Sequence, residues 1–167
     1  MRFLDRLLLA AVIFFPMQAL ANYGYLNGKL GSSIYSDKGS TYSAAVQMGT
    51  GSSNIFSGGM GLWTHDSIKD DGNTISIDSL TLNPRFELPL ESAYIYFEPG
   101  AHISQVRSTG DTSNKYITSM VWAIGAEYRI YNNLTLGLSY NYFDGLDYNN
   151  RNYDIHNISL SFSLVSY

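Results

Sequence analysis

His65, His102 and His156 are the residues to ask first about a metal centre or a general base. A metal site draws His, Cys and carboxylate ligands at set spacings. No His-x-His or His-x-x-x-His occurs, and the chain has no cysteine. No metal and no cofactor are therefore expected, and the histidines read as polar lining or loop-edge residues. A Gly-x-Ser-x-Gly nucleophile elbow is also missing. Six charged side chains stand out because they interrupt segments built from apolar and small residues: Lys29, Arg85, Glu87, Glu98, Glu127 and Arg129. Three are positive and three negative. Clustered in a cleft, such groups could carry protons or act as a catalytic acid. Packed inside a narrow interior, they would pair with one another. The structural reading is preferred, because the same residues are needed simply to fill such an interior and pair within it. The sequons Asn133-Leu134-Thr135 and Asn157-Ile158-Ser159 fall on the same kind of segment and read as chance.

What must position these charges is a set of strands. Within "GAEYRIYNNLTLGLSYNYFDG", Gly125 to Gly145, one parity holds Ala126, Tyr128, Ile130, Leu134, Leu136, Leu138, Tyr140 and Tyr142. The other holds Gly125, Glu127, Arg129, Thr135, Gly137, Ser139 and Asn141. Strict alternation is the signature of strands. The same pattern predicts eight strands, over 23–35, 42–49, 54–63, 75–88, 93–106, 116–130, 134–143 and 153–165. The turns "TGSSN", "PLES" and "YNN" are tight, whereas "SDKGST", "HDSIKDDGNT", "RSTGDTSNK" and "DGLDYNNRN" are longer and polar. Short turns on one side and longer loops on the other fit an antiparallel transmembrane β-barrel with periplasmic turns and extracellular loops.

Which face meets lipid follows from the companions of the charges. The charged parity also carries Gly31, Gly49, Gly59, Gly61, Gly100, Gly125 and Gly137, with many Ser and Ala. An eight-stranded barrel has an interior only wide enough for side chains to fill it. Small residues make room there and balanced charges can pair, so the polar set points inward. The apolar set then faces lipid. Phe56, Phe86 and Tyr128 near the short turns, and Tyr42, Tyr116, Tyr140 and Tyr142 near the long loops, are expected to form two interfacial girdles. One strand disobeys, since Ile75 and Ile77 have the opposite parity to Leu80, Leu82 and Phe86. A β-bulge near Asp78-Ser79 would reconcile them, as would a strand top clear of the membrane. Pro84, Pro89 and Pro99 need positions that donate no ladder hydrogen bond. A soluble lipocalin-like carrier remains the inverted alternative, with the apolar set buried around a ligand.

The chain opens with Arg2 and Arg6, an apolar run from Leu7 to Phe15, Pro16, and Ala19-Leu20-Ala21. That reads as a signal peptide over residues 1–21, with the barrel domain over 22–167. The apolar run is too short for a spanning helix, which needs about 20 residues. Losing Arg2, Arg6 and Asp5 takes the formal net charge from −4 to −5. No basic run remains, so nucleic acid is not an expected partner.

The hairpin quoted above resembles the penultimate hairpin of the small outer-membrane β-barrel superfamily: the outer-membrane protein X and Ail type, and the membrane domain of outer-membrane protein A. The resemblance implies a monomeric barrel in the outer membrane of a Gram-negative-type bacterium. It would sit in outer-membrane lipid and lipopolysaccharide, and barrel-assembly machinery would engage its C-terminal strand. Tyr167 and Val165 fit the terminal aromatic pattern of such chains, but Ser163 and Ser161 do not, which points to a late bulge. The role implied is structural, envelope-supporting or surface-interacting, without catalysis. Lipid A deacylases are the enzymatic alternative, and "YFEPGAHIS" looks loosely like one of their strands. Their His-x-Ser pair would stand at Asn141 and Phe143, and neither can serve as base or nucleophile. The loop charges, Asp37, Lys38, Asp66, Lys69, Asp70, Asp71, Arg107, Asp111, Lys115, Asp144, Asp147, Arg151 and Asp154, sum to −3. An acidic rim suits a divalent-cation bridge or a basic partner better than phosphate, which favours Arg and Lys.

Overall fold

The computed structural model describes residues 23–36, 38–53, 55–110 and 114–166, with backbone alone at 52 and 53. The expected signal peptide and the positions of Asp37, Asp111 and Tyr167 lie outside the described residues. The strands are β1 (Tyr23–Tyr35), β2 (Gly39–Ser53), β3 (Phe56–Asp70), β4 (Asn73–Pro89), β5 (Ala93–Ser108), β6 (Lys115–Tyr131) and β7 (Leu134–Phe143). A small hairpin, β8 (Asp147–Tyr148) and β9 (Arg151–Asn152), sits in the loop before β10 (Ile155–Ser166). Eight of these strands close into one antiparallel barrel in the order β1-β10-β7-β6-β5-β4-β3-β2.

The parity reading orients the side chains. Leu136 and Leu138 are 48% and 55% exposed on the outer surface, while Thr135 and Ser139, on the alternate parity, are buried. Leu30, Val46, Leu82, Phe97, Ile124, Leu160 and Phe162 are exposed in the same way. A lipocalin-like body would hold this set inside, and it does not. In β4 the outward apolar residues run from Leu80 to Leu88, about 26 Å of strand at 3.3 Å per residue. At the usual barrel tilt that gives roughly 20 Å of height, close to the band expected for an outer-membrane barrel.

Three details differ from expectation. "HDSIKDDGNT" is not a loop. β3 and β4 run through it to a two-residue turn, in which Asp71 and Gly72 have φ of 48° and 80°. An Asp-Gly pair tolerates positive φ and matches strand twist, so the hairpin continues to its tip. β4 itself carries no bulge. The register shift lies in β3, between His65 and Ile68. It inverts the parity of the β3 tip, so Ile68 turns inward against Ile75 and Ile77, which are also buried. The late bulge is absent as well: β10 pairs with β1 without a shift from Ile155 to Ser166. Ser161 and Ser163 are simply inward residues.

Pro84 and Pro99 stand at the same level, where the β4–β5 ladder skips residues 83–85 without changing register. Each proline lacks the N–H it would donate. Asn83 Nδ2 reaches the carbonyl oxygen of Glu98 at 3.4 Å across this gap.

Replacing Leu136 or Leu138 with Arg should lower the unfolding free energy of the lipid-refolded barrel by roughly 2–4 kcal/mol. Urea titration in phospholipid vesicles measures it. No loss in either variant would mean that the apolar set does not face lipid.

Candidate functional site

The interior is layered along the barrel axis. At the short-turn end the Arg85 guanidinium is the hub. Its Nη1 donates to Glu98 Oε1 at 3.1 Å and to Glu127 Oε1 at 3.2 Å, and its Nε lies 2.8 Å from Glu87 Oε1. The ring of Tyr96 stacks beneath it, with the guanidinium carbon 3.8 Å from the ring centroid. Lys29, 1% exposed, lies 3.7 Å from Glu98 and donates to Asn141 Oδ1 at 3.4 Å. Glu127 also accepts from Tyr94 (2.5 Å), Thr135 (2.6 Å) and Ser163 (3.0 Å).

Five of the six expected charges therefore meet in one network. Arg129 does not join it. It is exposed at the last paired position of β6 before a register shift at Tyr131, where the barrel opens and water can solvate a guanidinium. Nor does Arg129 form an ion pair among the described residues. The gathered set thus holds two positive and three negative side chains.

Three inward tyrosines, Tyr25, Tyr94 and Tyr96, were not singled out by sequence reasoning. A signal for two of them existed. Tyr25 and Tyr96 pair across the ladder with Gly49 and Gly125. A Cβ on Gly125 would lie 2.4 Å from the Tyr96 ring. Aromatic residues commonly cover cross-strand glycines in this way.

A second polar layer lies above the first. Ser33 Oγ is 2.8 Å from His65 Nδ1, and Asn157 Nδ2 donates to Ser33 and Ser43. His102 Nε2 donates to the Asp144 carbonyl oxygen at 2.9 Å, which leaves Nδ1 to accept from Ser104 at 2.8 Å. These are Ser–His contacts, but among the described residues no carboxylate hydrogen-bonds to either ring, and all four side chains are buried. His156 lies outside, on the outer surface, 2.6 Å from the Tyr140 hydroxyl. The seven expected girdle residues are likewise on the outer surface. Phe56, Phe86 and Tyr128 lie toward the short turns, and Tyr42, Tyr116, Tyr140 and Tyr142 toward the loops. Trp122 packs against Tyr140 and Tyr142 there. Among the described residues, no three His, Cys, Asp or Glu side chains come together to hold a metal.

The loop end is closed by an apolar cap. Ile68, Ile75, Ile77, Val106, Phe143, Leu146, Tyr148, Tyr153 and Ile155 are buried together there. A polar clamp locks the cap. Asp70, at the tip of β3, takes Lys38 and Arg151 at 2.9 Å each and the Tyr153 hydroxyl at 2.5 Å, while Arg151 also pairs with Asp71. Tyr153, then Lys38 and Arg151, hold the Asp70 carboxyl well below the usual carboxylate range. Burial and then Asp70 push the Tyr153 hydroxyl up to about 12. Among the described residues the opposite end is open. A cavity of about 400 Å³ leads from the short turns to Arg85 and Glu127.

A family model described as outer membrane protein beta-barrel domain matches residues 7–165. Solved structures share the fold. Ail of Yersinia pestis, in complex with the heparin analogue sucrose octasulfate, superposes with a TM-score of 0.64 at 13% identity, over 86% of this chain and 98% of that one. Neisserial surface protein A gives 0.61 at 16% identity, over 86% and 94%. OprG of Pseudomonas aeruginosa gives 0.63 at 9% identity, over 88% and 97%. No curated protein sequence matches the chain.

Two predictions follow from this geometry. Arg85→Met leaves buried carboxylates without their shared counter-charge and should cost about 3–5 kcal/mol, against within about 0.5 kcal/mol for Arg129→Ala at the rim. Equal losses in urea titration would place Arg129 in the network after all. The second concerns pH. Because the folded Asp70 value is depressed, the clamp contributes fully above the ordinary carboxylate range near pH 4 and is lost as pH falls through the depressed value. Hydrogen exchange in residues 144–154, corrected for intrinsic rates, should be equal at pH 7 and pH 5. Asp70→Asn should raise it at both.

Proposed function

The chain belongs to the outer membrane protein β-barrel domain family, and on that premise we propose that this outer-membrane barrel is non-enzymatic, with a structural, envelope-integrity or surface-interaction role. The observation that carries the reading is the closed loop end. Among the described residues the apolar cap and the Asp70 clamp lie between the outside and the buried Ser–His contacts. A nucleophile needs both an activating base and access to substrate. The positions where a deacylase-like His-x-Ser would stand, Asn141 and Phe143, are buried in the lumen rather than turned toward lipid.

On this reading the outward aromatic residues settle the barrel at the two membrane interfaces, in contact with lipid and lipopolysaccharide. The C-terminal strand β10, which closes the barrel against β1, is the element for assembly machinery to engage. The barrel acts as a monomer. Its surface partner is not a polyanion of the kind in the Ail complex. Lys38, Arg151 and Arg107 are already paired with Asp70, Asp71 and Asp78, so the loop face offers few free cations. A basic partner, or a divalent-cation bridge to neighbouring lipopolysaccharide, suits that face better.

The test is mass spectrometry of lipid A from cells overproducing the protein, beside envelope-stress assays of a deletion strain. Unchanged acylation with a detergent- or chelator-sensitive deletion strain is the expected result. Loss of an acyl chain that depends on the protein would make it an enzyme.

A further inference from the structure

The open end of the barrel has chemistry that neither the fold nor a surface role requires. The gathered charges are one positive short: Lys29 and Arg85 face Glu87, Glu98 and Glu127, and Arg129 stands outside at the rim. An unmatched charge away from bulk water is costly. Glu98 has Lys29, Arg85 and Gln47 around it. Glu127 has Arg85, three hydroxyls and the Asn27 amide. Glu87 has only Arg85 and a 3.4 Å contact from Ser57 among the described residues. Its side chain is 14% exposed, and it lines the 400 Å³ cavity. The surplus negative charge therefore falls on a carboxylate that a solute can reach.

A buried group lining the same cavity also lacks a partner among the described residues: the hydroxyl of Tyr25, a residue that is 9% exposed. A vacant acceptor, a reachable carboxylate and the rings of Tyr23, Tyr25 and Tyr94 together ask for a cation with several donors and an apolar stem. A hard metal ion is a poorer fit, because it takes six or more oxygen ligands and most oxygens here are already engaged.

We propose that this cavity binds a primary alkylammonium group entering from the short-turn side, with Glu87 as counter-charge and the Tyr25 hydroxyl oxygen as acceptor. The chemistry is shared by free polyamines and by lysine side chains of a periplasmic peptide or protein. The cavity is blind, since the loop end is capped, so it holds the group rather than conducting it.

The refolded barrel in vesicles is titrated with spermidine, with N-acetyl-lysine amide, and with potassium chloride at matched ionic strength, while the urea midpoint is followed. A saturable rise with an amine, not reproduced by potassium, is the expected result. The tighter of the two amines identifies the source. Glu87→Gln restores a balance of two positive and two negative side chains, so it should fold and should weaken amine binding tenfold or more. Arg129→Ala, at the exposed rim, should tighten binding by removing a like charge. Equal responses of wild type and Glu87→Gln, or a potassium effect as large as that of the amine, would overturn the proposal. So would stabilisation of wild type by mild acid alone with no amine effect, because the missing charge would then be a proton.

Discussion

Backbone hydrogen bonding in a medium without water is the constraint from which the rest of this structure follows. A strand edge in hydrocarbon would leave a row of N–H and C=O groups unpaired, at several kcal/mol each. The β1–β10 seam removes that edge, with pairing continuous from Gly24–Ser166 to Tyr35–Ile155. Closing on eight strands fixes a narrow interior, and that width decides which residues can point inward. Gly49 and Gly125 are there because Tyr25 and Tyr96 lie across them. Tyr96 in turn is there to stack on Arg85. The chain from closure to glycine to tyrosine to guanidinium is one of volume, each step making room for the next.

Charge inside such a body is tolerated only where it is shared. Arg85 serves three carboxylates at once, and its flat faces are covered by aromatic rings. Hydroxyls from Tyr94, Thr135 and Ser163 take up the remaining lone pairs of Glu127. Few surface ion pairs contribute much stability. This network differs because Lys29, Arg85, Glu98 and Glu127 are buried and the loss of one leaves others stranded. Its one deficit, at Glu87, lies at the mouth, where solvent or a solute can make it good.

The two ends of the lumen are built on different physics. At the loop end, the β3 bulge turns Ile68 inward to join Ile75 and Ile77, and the cap excludes water by burial of apolar area. The Asp70 clamp then ties the tips of three loops together over it. At the short-turn end the interior is left polar and open. Among the described residues the barrel is therefore closed at the loop end and accessible from the short-turn side, an asymmetry consistent with the role proposed above.

The alternation of Leu134, Leu136, Leu138 and Tyr140 against Thr135, Gly137 and Ser139 was enough to determine strands, barrel class and lipid-facing side. Those properties depend on period and residue size, which are local. Lys29, Arg85, Glu87, Glu98 and Glu127 were legible as interior charges for the same reason. Arg129 has the same parity and was read with them, yet it ends at the rim. Parity tells which face a residue takes, but not how far along the axis the barrel still encloses it. Ile75 and Ile77 were legible as an anomaly, but the apolar cap they belong to was not, because it is completed from the neighbouring strand, where the β3 register shift turns Ile68 inward to join them. Cross-strand register also decided which tyrosine covers which glycine, which carboxylate keeps an unmatched charge, and how residues as distant as Lys38, Asp70 and Arg151 come to share one clamp. Only tertiary structure could settle these, because each depends on which strand lies beside which and at what stagger.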